Sequence, residues 1–132
     1  MNKLNIVGIG PGAREYLTLN AVETIEKSDV LVGSKRSLEL FDYLDAQMVV
    51  LEPRDIPNTV KKAVSYLDDG LNVSVLSTGD PGFSGMLKTI QRLSPNTKLN
   101  VIPGISSVQL ASAKVEIPWD SANLITIHGG KA

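Results

Sequence analysis

Short, mainly apolar runs alternate with segments of helical periodicity almost from end to end of this chain. That rhythm predicts an α/β domain with a mostly parallel five-stranded sheet and helices on both faces. The runs are mainly apolar, as in strands covered on both sides. The segments between them space apolar residues three and four apart, behind Ser, Thr or Pro start signals. A length of 132 residues, 42% hydrophobic and 20% charged, suits a single core that needs no covalent staples.

Lys3 to Ile9 is the first strand, closed by glycines. Thr18 caps the first helix, which carries Leu19, Val22 and Ile25 and runs to Glu26. Asp29 to Val32 is the second strand, and Ser34 opens a second helix with Leu38, Phe41 and Leu44 on one face. Met48 to Leu51 is the third strand. Pro57 or Asn58 starts the third helix, whose Val60, Ala63, Val64 and Leu67 keep the period and whose end is marked by Gly70. Val73 to Ser77 is the fourth strand, Met86 to Leu93 the fourth helix and Leu99 to Ile102 the fifth strand. A helix from Ser106 to about Ala113 completes the pattern. Strand order is not readable from it. Ile117, Pro118, Trp119 and Asp120 break the rhythm as a linker, and Leu124 to Ile127 begins one more strand. The expected division is an α/β domain over residues 1–116, then a linker and the first strand of an incomplete second domain over 117–132.

Thirteen Lys and Arg against fourteen Asp and Glu leave a net charge of −1, which argues against nucleic-acid and membrane-surface partners. With no cysteine, disulfides, thiolate metal sites and Cys nucleophiles are excluded. His128 is the single histidine, so a multi-histidine metal site and most Ser–His catalysis are not expected. The longest uncharged stretch, Leu99 to Ala113, is broken by Pro103, Gly104 and serines, so no membrane span is read. Gly8, Gly10, Pro11 and Gly12 break the first apolar run too early for a signal peptide, and a cytoplasmic protein is expected. Chemistry here rests on backbone, hydroxyls and carboxylates, or on a borrowed cofactor.

In open α/β sheets, ligands bind past the carboxyl ends of the strands. Three loops at those ends stand out: Val7-Gly8-Ile9-Gly10-Pro11-Gly12, the run from Ser77 to Gly85, and Ile102-Pro103-Gly104-Ile105-Ser106-Ser107. Glycine lets backbone approach a ligand closely and proline holds that backbone still. Gly8, Gly10 and Ala13 satisfy a dinucleotide-binding pattern, but Pro11 and a helix delayed to Thr18 leave no helix N-terminus for a pyrophosphate. The acid expected after the second strand is also missing. A P-loop is excluded because no Gly-Lys-Ser/Thr follows a glycine loop.

Gly8-Ile9-Gly10-Pro11-Gly12, Thr78-Gly79-Asp80-Pro81 and Pro103-Gly104-Ile105-Ser106-Ser107 together resemble, in order and spacing, the three motifs of the tetrapyrrole methylases. Val32-Gly33-Ser34-Lys35-Arg36, the run from Ser77 to Gly85, and the tail from Ser106 through Trp119-Asp120 to His128-Gly129 are most similar to the cobalt-precorrin methyltransferases that act on ring carbon five. Ala13 departs from an Asp often found after Gly-Pro-Gly, and Gly130-Lys131 from an Arg often found after His-Gly. The resemblance covers nearly the whole chain but only the first of the family's two domains.

It implies S-adenosylmethionine as cofactor, methyl transfer to a corrin ring in cobalamin synthesis, and a cofactor site of Pro11, Thr78, Gly79, Asp80, Phe83, Ser106 and Ser107. It identifies no catalytic acid or base. The implied partners are a cobalt-precorrin substrate, further copies in a homo-oligomer, and a decarboxylating methyltransferase. Alternatives are another family member, such as a uroporphyrinogen methylase or diphthine synthase, or a binding domain without turnover. Residues 1–132 by themselves are expected to be inactive, because they supply one wall of a two-walled cleft. The ring's carboxylates call for cations, and Arg14, Lys35, Arg36 and Arg54 all follow strands on the loop side, where an ordinary solvated charge is also common.

Overall fold

Mainly apolar strands need cover on both faces, and this sheet obtains it by placing its first two helices on one side and the next two on the other. The computed structural model describes residues 2–83 and 85–120. Its strands are β1 (Leu4–Gly8), β2 (Val30–Gly33), β3 (Gln47–Val50), β4 (Val73–Ser77) and β5 (Leu99–Ile102). The helices are α1 (Leu19–Glu26), α2 (Lys35–Glu39), α3 (Ile56–Asp68), α4 (Met86–Leu93) and α5 (Ser107–Val115). The strands form one sheet in the order β3-β2-β4-β1-β5, each pair parallel. The five-stranded α/β class expected from the sequence is the one observed.

Because strand side chains alternate, Leu4, Ile6, Val30, Val32, Val73 and Val75 face Val60, Ala63 and Leu67 of α3 and Ile90 of α4. Val7, Leu31, Leu76 and Ile102 point the other way, into a core with Ala21 and Ile25 of α1 and Leu38 of α2. At the amino end of this second face, the buried Ser74 hydroxyl is satisfied by Asn5 at 3.2 Å and Ser28 at 2.6 Å, so the polar residue costs little there.

Helix starts follow the sequence signals closely. Thr18 Oγ1 accepts from Ala21 N–H at 3.0 Å, and Ser34 Oγ accepts from Ser37 N–H at 3.1 Å. α3 begins at Ile56, slightly ahead of expectation, with Pro57 inside its first turn where a missing N–H costs nothing. α2 is shorter than its apolar spacing suggests. It ends at Glu39, and Phe41 and Leu44 reach the core through tighter turns, Phe41 N–H to Leu38 O and Leu44 N–H to Phe41 O, both 3.0 Å. A 3-10 turn at Arg14–Tyr16, absent from the sequence reading, fills part of the gap between β1 and α1.

α5 buries none of its residues, and Val115, Ile117 and Trp119 beyond and within its end are exposed. The strand expected at Leu124 to Ile127, and His128, lie outside the described residues. Among the described residues, no helix is long and apolar enough to cross a membrane.

Candidate functional site

β1 and β4 lie side by side at the centre of the sheet, yet the chain leaves them in opposite directions. From β1 it passes through α1 to β2, beyond β4; from β4 it passes through α4 to β5, beyond β1. α1 and α4 also cover opposite faces. Diverging connections leave a crevice above the shared strand ends, the switch point at which sheets of this kind hold ligands. The first two glycine-rich loops leave from that point.

Backbone hydrogen bonds join these two loops. Ile9 N–H donates to Ser77 O at 2.9 Å, Gly10 N–H to Gly79 O at 3.2 Å, and Gly79 N–H to Gly10 O at 2.8 Å. Gly79 makes this pairing with φ +72°, in the left-handed region where an L side chain is strained. The loop after β5 packs on the same point. A Cβ on Gly8 would lie 2.6 Å from Gly104 N and 2.8 Å from Gly79 O, and a Cβ on Gly104 would collide with Gly79 O and the Gly8 backbone. Three bare backbone segments therefore touch where ordinary side chains would hold them apart.

Side chains complete the frame around this junction. Asp80 Oδ1 accepts from Gly104 N–H at 3.0 Å and Oδ2 from Gly82 N–H at 2.9 Å, while Asp80 O accepts from Phe83 N–H at 3.1 Å. The buried Ser77 hydroxyl accepts from Met86 N–H at 3.1 Å, which caps α4 from the end of β4 because Gly85 has no side chain to do so. Ser106 and Gln109 form a capping box at the start of α5: Gln109 N–H to Ser106 Oγ at 3.2 Å, and Ser106 N–H to Gln109 Oε1 at 2.7 Å.

All seven site residues implied by the resemblance thus sit on the joined loops, but in different ways. Pro11, Thr78 and Ser107 are exposed there, Gly79 lies with its α-carbon side toward Ser106, and Phe83 is half-buried. Ser106 is buried, and its hydroxyl and N–H already serve the capping box. Asp80 has each oxygen in a hydrogen bond within the loops. Gly8, Gly104 and Ser77 belong to the frame although the sequence reading assigned them no site role. For Gly8 and Gly104 the signal was the glycine spacing itself, whose spatial meaning depends on strand order.

The candidate cations separate as well. Arg14 lies over the Tyr43 ring, 4.8 Å from its centroid, and donates to Leu40 O, so it ties the first loop to the end of α2. Tyr43 OH in turn donates to Glu26 at 3.2 Å. Lys35, Arg36 and Arg54 are exposed, past the ends of β2 and β3.

Comparison with known proteins adds independent ground. The chain is 43% identical over 125 residues to the "probable cobalt-precorrin-7 C(5)-methyltransferase" of Methanocaldococcus jannaschii, across 94% of this chain and 59% of that protein. The crystal structure of a cobalamin biosynthesis precorrin-6Y methylase from Archaeoglobus fulgidus superposes with a TM-score of 0.73 and 30% identity, over 88% of this chain and 59% of that one. A uroporphyrin-III C-methyl transferase from Thermus thermophilus, complexed with S-adenosyl homocysteine, shares the fold at a TM-score of 0.67 and 24% identity, over 85% of this chain and 48% of that one. The chain thus spans about three-fifths of the length of the first two. The family model for tetrapyrrole (corrin/porphyrin) methylases matches residues 3–132. Because that match runs through all three joined loops and every strand that positions them, the chain belongs to the tetrapyrrole methylases.

Proposed function

We propose that this chain holds S-adenosylmethionine against the three joined loops and serves methylation of a cobalt-precorrin ring at carbon five in cobalamin biosynthesis. The observation that carries the reading is the junction of Gly8, Gly79 and Gly104, bare backbone packed on bare backbone at the switch point. The donor set suits this cofactor. Residues 8–12, 77–83 and 103–107 contain no Lys or Arg, so they offer N–H groups, carbonyls and hydroxyls, as an adenosine and a zwitterionic amino acid require. A phosphate-bearing ligand would call for cations there. The likeness to a methyltransferase that binds S-adenosyl homocysteine supports the same choice.

When bound, the cofactor supplies a methyl group activated on a sulfonium, so the chain need not furnish a nucleophile and its work is binding and orientation. Pro11, Thr78, Gly79, Phe83 and Ser107 line the site, while Asp80 and Ser106 contribute through the backbone they hold. Lys35, Arg36 and Arg54 are available to the carboxylates of the ring, and Arg14 is committed to Tyr43. The exposed Val115, Ile117 and Trp119 suit burial against a second domain or a second copy, and a decarboxylating methyltransferase is a further proposed partner.

Calorimetric titration of S-adenosylhomocysteine into the full-length protein tests the cofactor reading. Saturable one-site binding is expected, and no heat at millimolar ligand would sink it. Mass-resolved transfer of one methyl group to a cobalt-precorrin tests the activity.

A further inference from the structure

The three loops are not held together in the same way. The loops after β1 and β4 share three backbone hydrogen bonds: Ile9 to Ser77, and Gly10 and Gly79 to each other. Among the described residues, the loop after β5 is bonded to the other two only through Gly104 N–H, and its acceptor is the Asp80 carboxylate at 3.0 Å. Pro103, just before it, has no N–H to offer. The second carboxylate oxygen is occupied by Gly82 N–H at 2.9 Å, which fixes the rotation of the Asp80 side chain and so aims the first oxygen. Gly104 also packs directly on the Gly8 and Gly79 backbone, where a Cβ would collide, but among the described residues that packing brings no second hydrogen bond. Gly104 in turn leads by two residues into Ser106 and the start of α5.

We propose that Asp80 is a positioning residue: its carboxylate clamps the third loop to the first two and reaches the cofactor only through the backbone it places. This rests on the cofactor reading above, but the clamp itself can be observed without any ligand. An acid that gripped the cofactor's amine directly would act on that group alone. A clamp acts on every ligand that uses the cradle.

The experiment compares Asp80→Ala and Asp80→Asn with the unchanged full-length protein. In ligand-free samples, amide exchange at Gly104 should rise at least tenfold in Asp80→Ala, with a smaller rise in Asp80→Asn, which retains one acceptor oxygen. Gly10 and Gly79, paired through backbone, should exchange as before, as should Ile6 and Val75 in the central strands. Affinity for S-adenosylhomocysteine and for 5′-methylthioadenosine, which lacks the amino-acid end, should fall by the same factor, about ten- to a hundredfold for a lost charged hydrogen bond. Unchanged Gly104 exchange in both variants would overturn the clamp. So would an affinity loss confined to S-adenosylhomocysteine, which would make Asp80 a direct ligand of the amino-acid end. If Asp80→Ala does not fold, Asp80→Asn carries both measurements. If the unchanged protein binds neither ligand, the cofactor reading fails and Gly104 exchange alone decides the clamp.

Discussion

The carboxyl edge of the sheet has two halves built on opposite rules. Over β4, β1 and β5, chain passes against chain with no side chain between, and Gly8, Gly79 and Gly104 make that contact. Over β3 and β2, the strands end in ordinary fashion. Leu51 N–H extends the ladder to Gly33 O at 2.7 Å, Ser34 caps α2, and Lys35, Arg36 and Arg54 stand out into solvent. Both halves must start helices and satisfy strand ends, so the fold alone does not demand the glycine junction. What separates them is access. One half keeps its backbone bare and closely paired where a ligand without phosphate can lie, and the other carries the charge that the proposed acidic ring would meet.

The largest break in that contrast should come at the junction itself. Gly104→Ala would drive a methyl group into the Gly79 carbonyl and the Gly8 backbone, neither of which is the end of a flexible side chain. We expect a loss of about 3 kcal/mol, at the upper end for overpacking, measured by denaturant unfolding, together with loss of S-adenosylhomocysteine binding. Stability within 1 kcal/mol of the parent, on that same scale, would show that the loops can separate.

Gly79→Val should divide stability from binding. A Cβ on Gly79 would sit in ordinary contact with Ser106 Cα at 3.8 Å and Ile105 O at 3.9 Å, so the main cost is the left-handed φ of +72°. That strain is about 1–3 kcal/mol, yet the new side chain would stand in the proposed cradle. Binding should therefore vanish in a protein that still unfolds cooperatively. A valine variant that binds normally would move the ligand away from this loop.

The two serine caps offer a matched pair across the halves. Ser34→Ala and Ser106→Ala should each cost about 1 kcal/mol of stability, since each removes one acceptor at a helix start. Only Ser106→Ala should also weaken S-adenosylhomocysteine, because α5 begins inside the joined loops. Equal effects of the pair on ligand affinity would erase the distinction.

The smallest change is expected from Lys35→Ala and Arg54→Ala. An exposed position without special contacts shifts stability by no more than about 0.5 kcal/mol, and cofactor affinity should not move. The effect, if the cationic half meets the ring, should be a higher KM for the cobalt-precorrin that shrinks with added salt. A KM indifferent to both substitutions would leave these residues as plain solvated charges.

Much of this molecule was legible in residue order because the signals were local. Thr18, Ser34 and Ser106 marked helix starts, and the mainly apolar runs marked the strands with errors of a residue or so at their ends. Where longer-range packing intervened, the reading slipped. The spacing of Leu38, Phe41 and Leu44 suggested one helix, but tight turns bring Phe41 to the core just as well. Arg14 read as a loop-side cation for an acidic substrate, and Tyr43, distant in sequence, takes it instead. The resemblance gave Asp80 as a cofactor-site residue, and its bond to Gly104, 24 positions away, was not legible in residue order.

By itself, then, the sequence determined the α/β class, the alternation of elements, the absence of cysteine chemistry and the three glycine-rich loops, since periodicity, caps and turn residues act over a few neighbours. Only the tertiary structure decided the order β3-β2-β4-β1-β5, and with it which loops meet. That order sets β1 beside both β4 and β5, so glycines far apart in the chain become one junction and a carboxylate becomes its clamp. Contacts of that kind depend on where separate strands are placed in space, and no local pattern of residues encodes that placement.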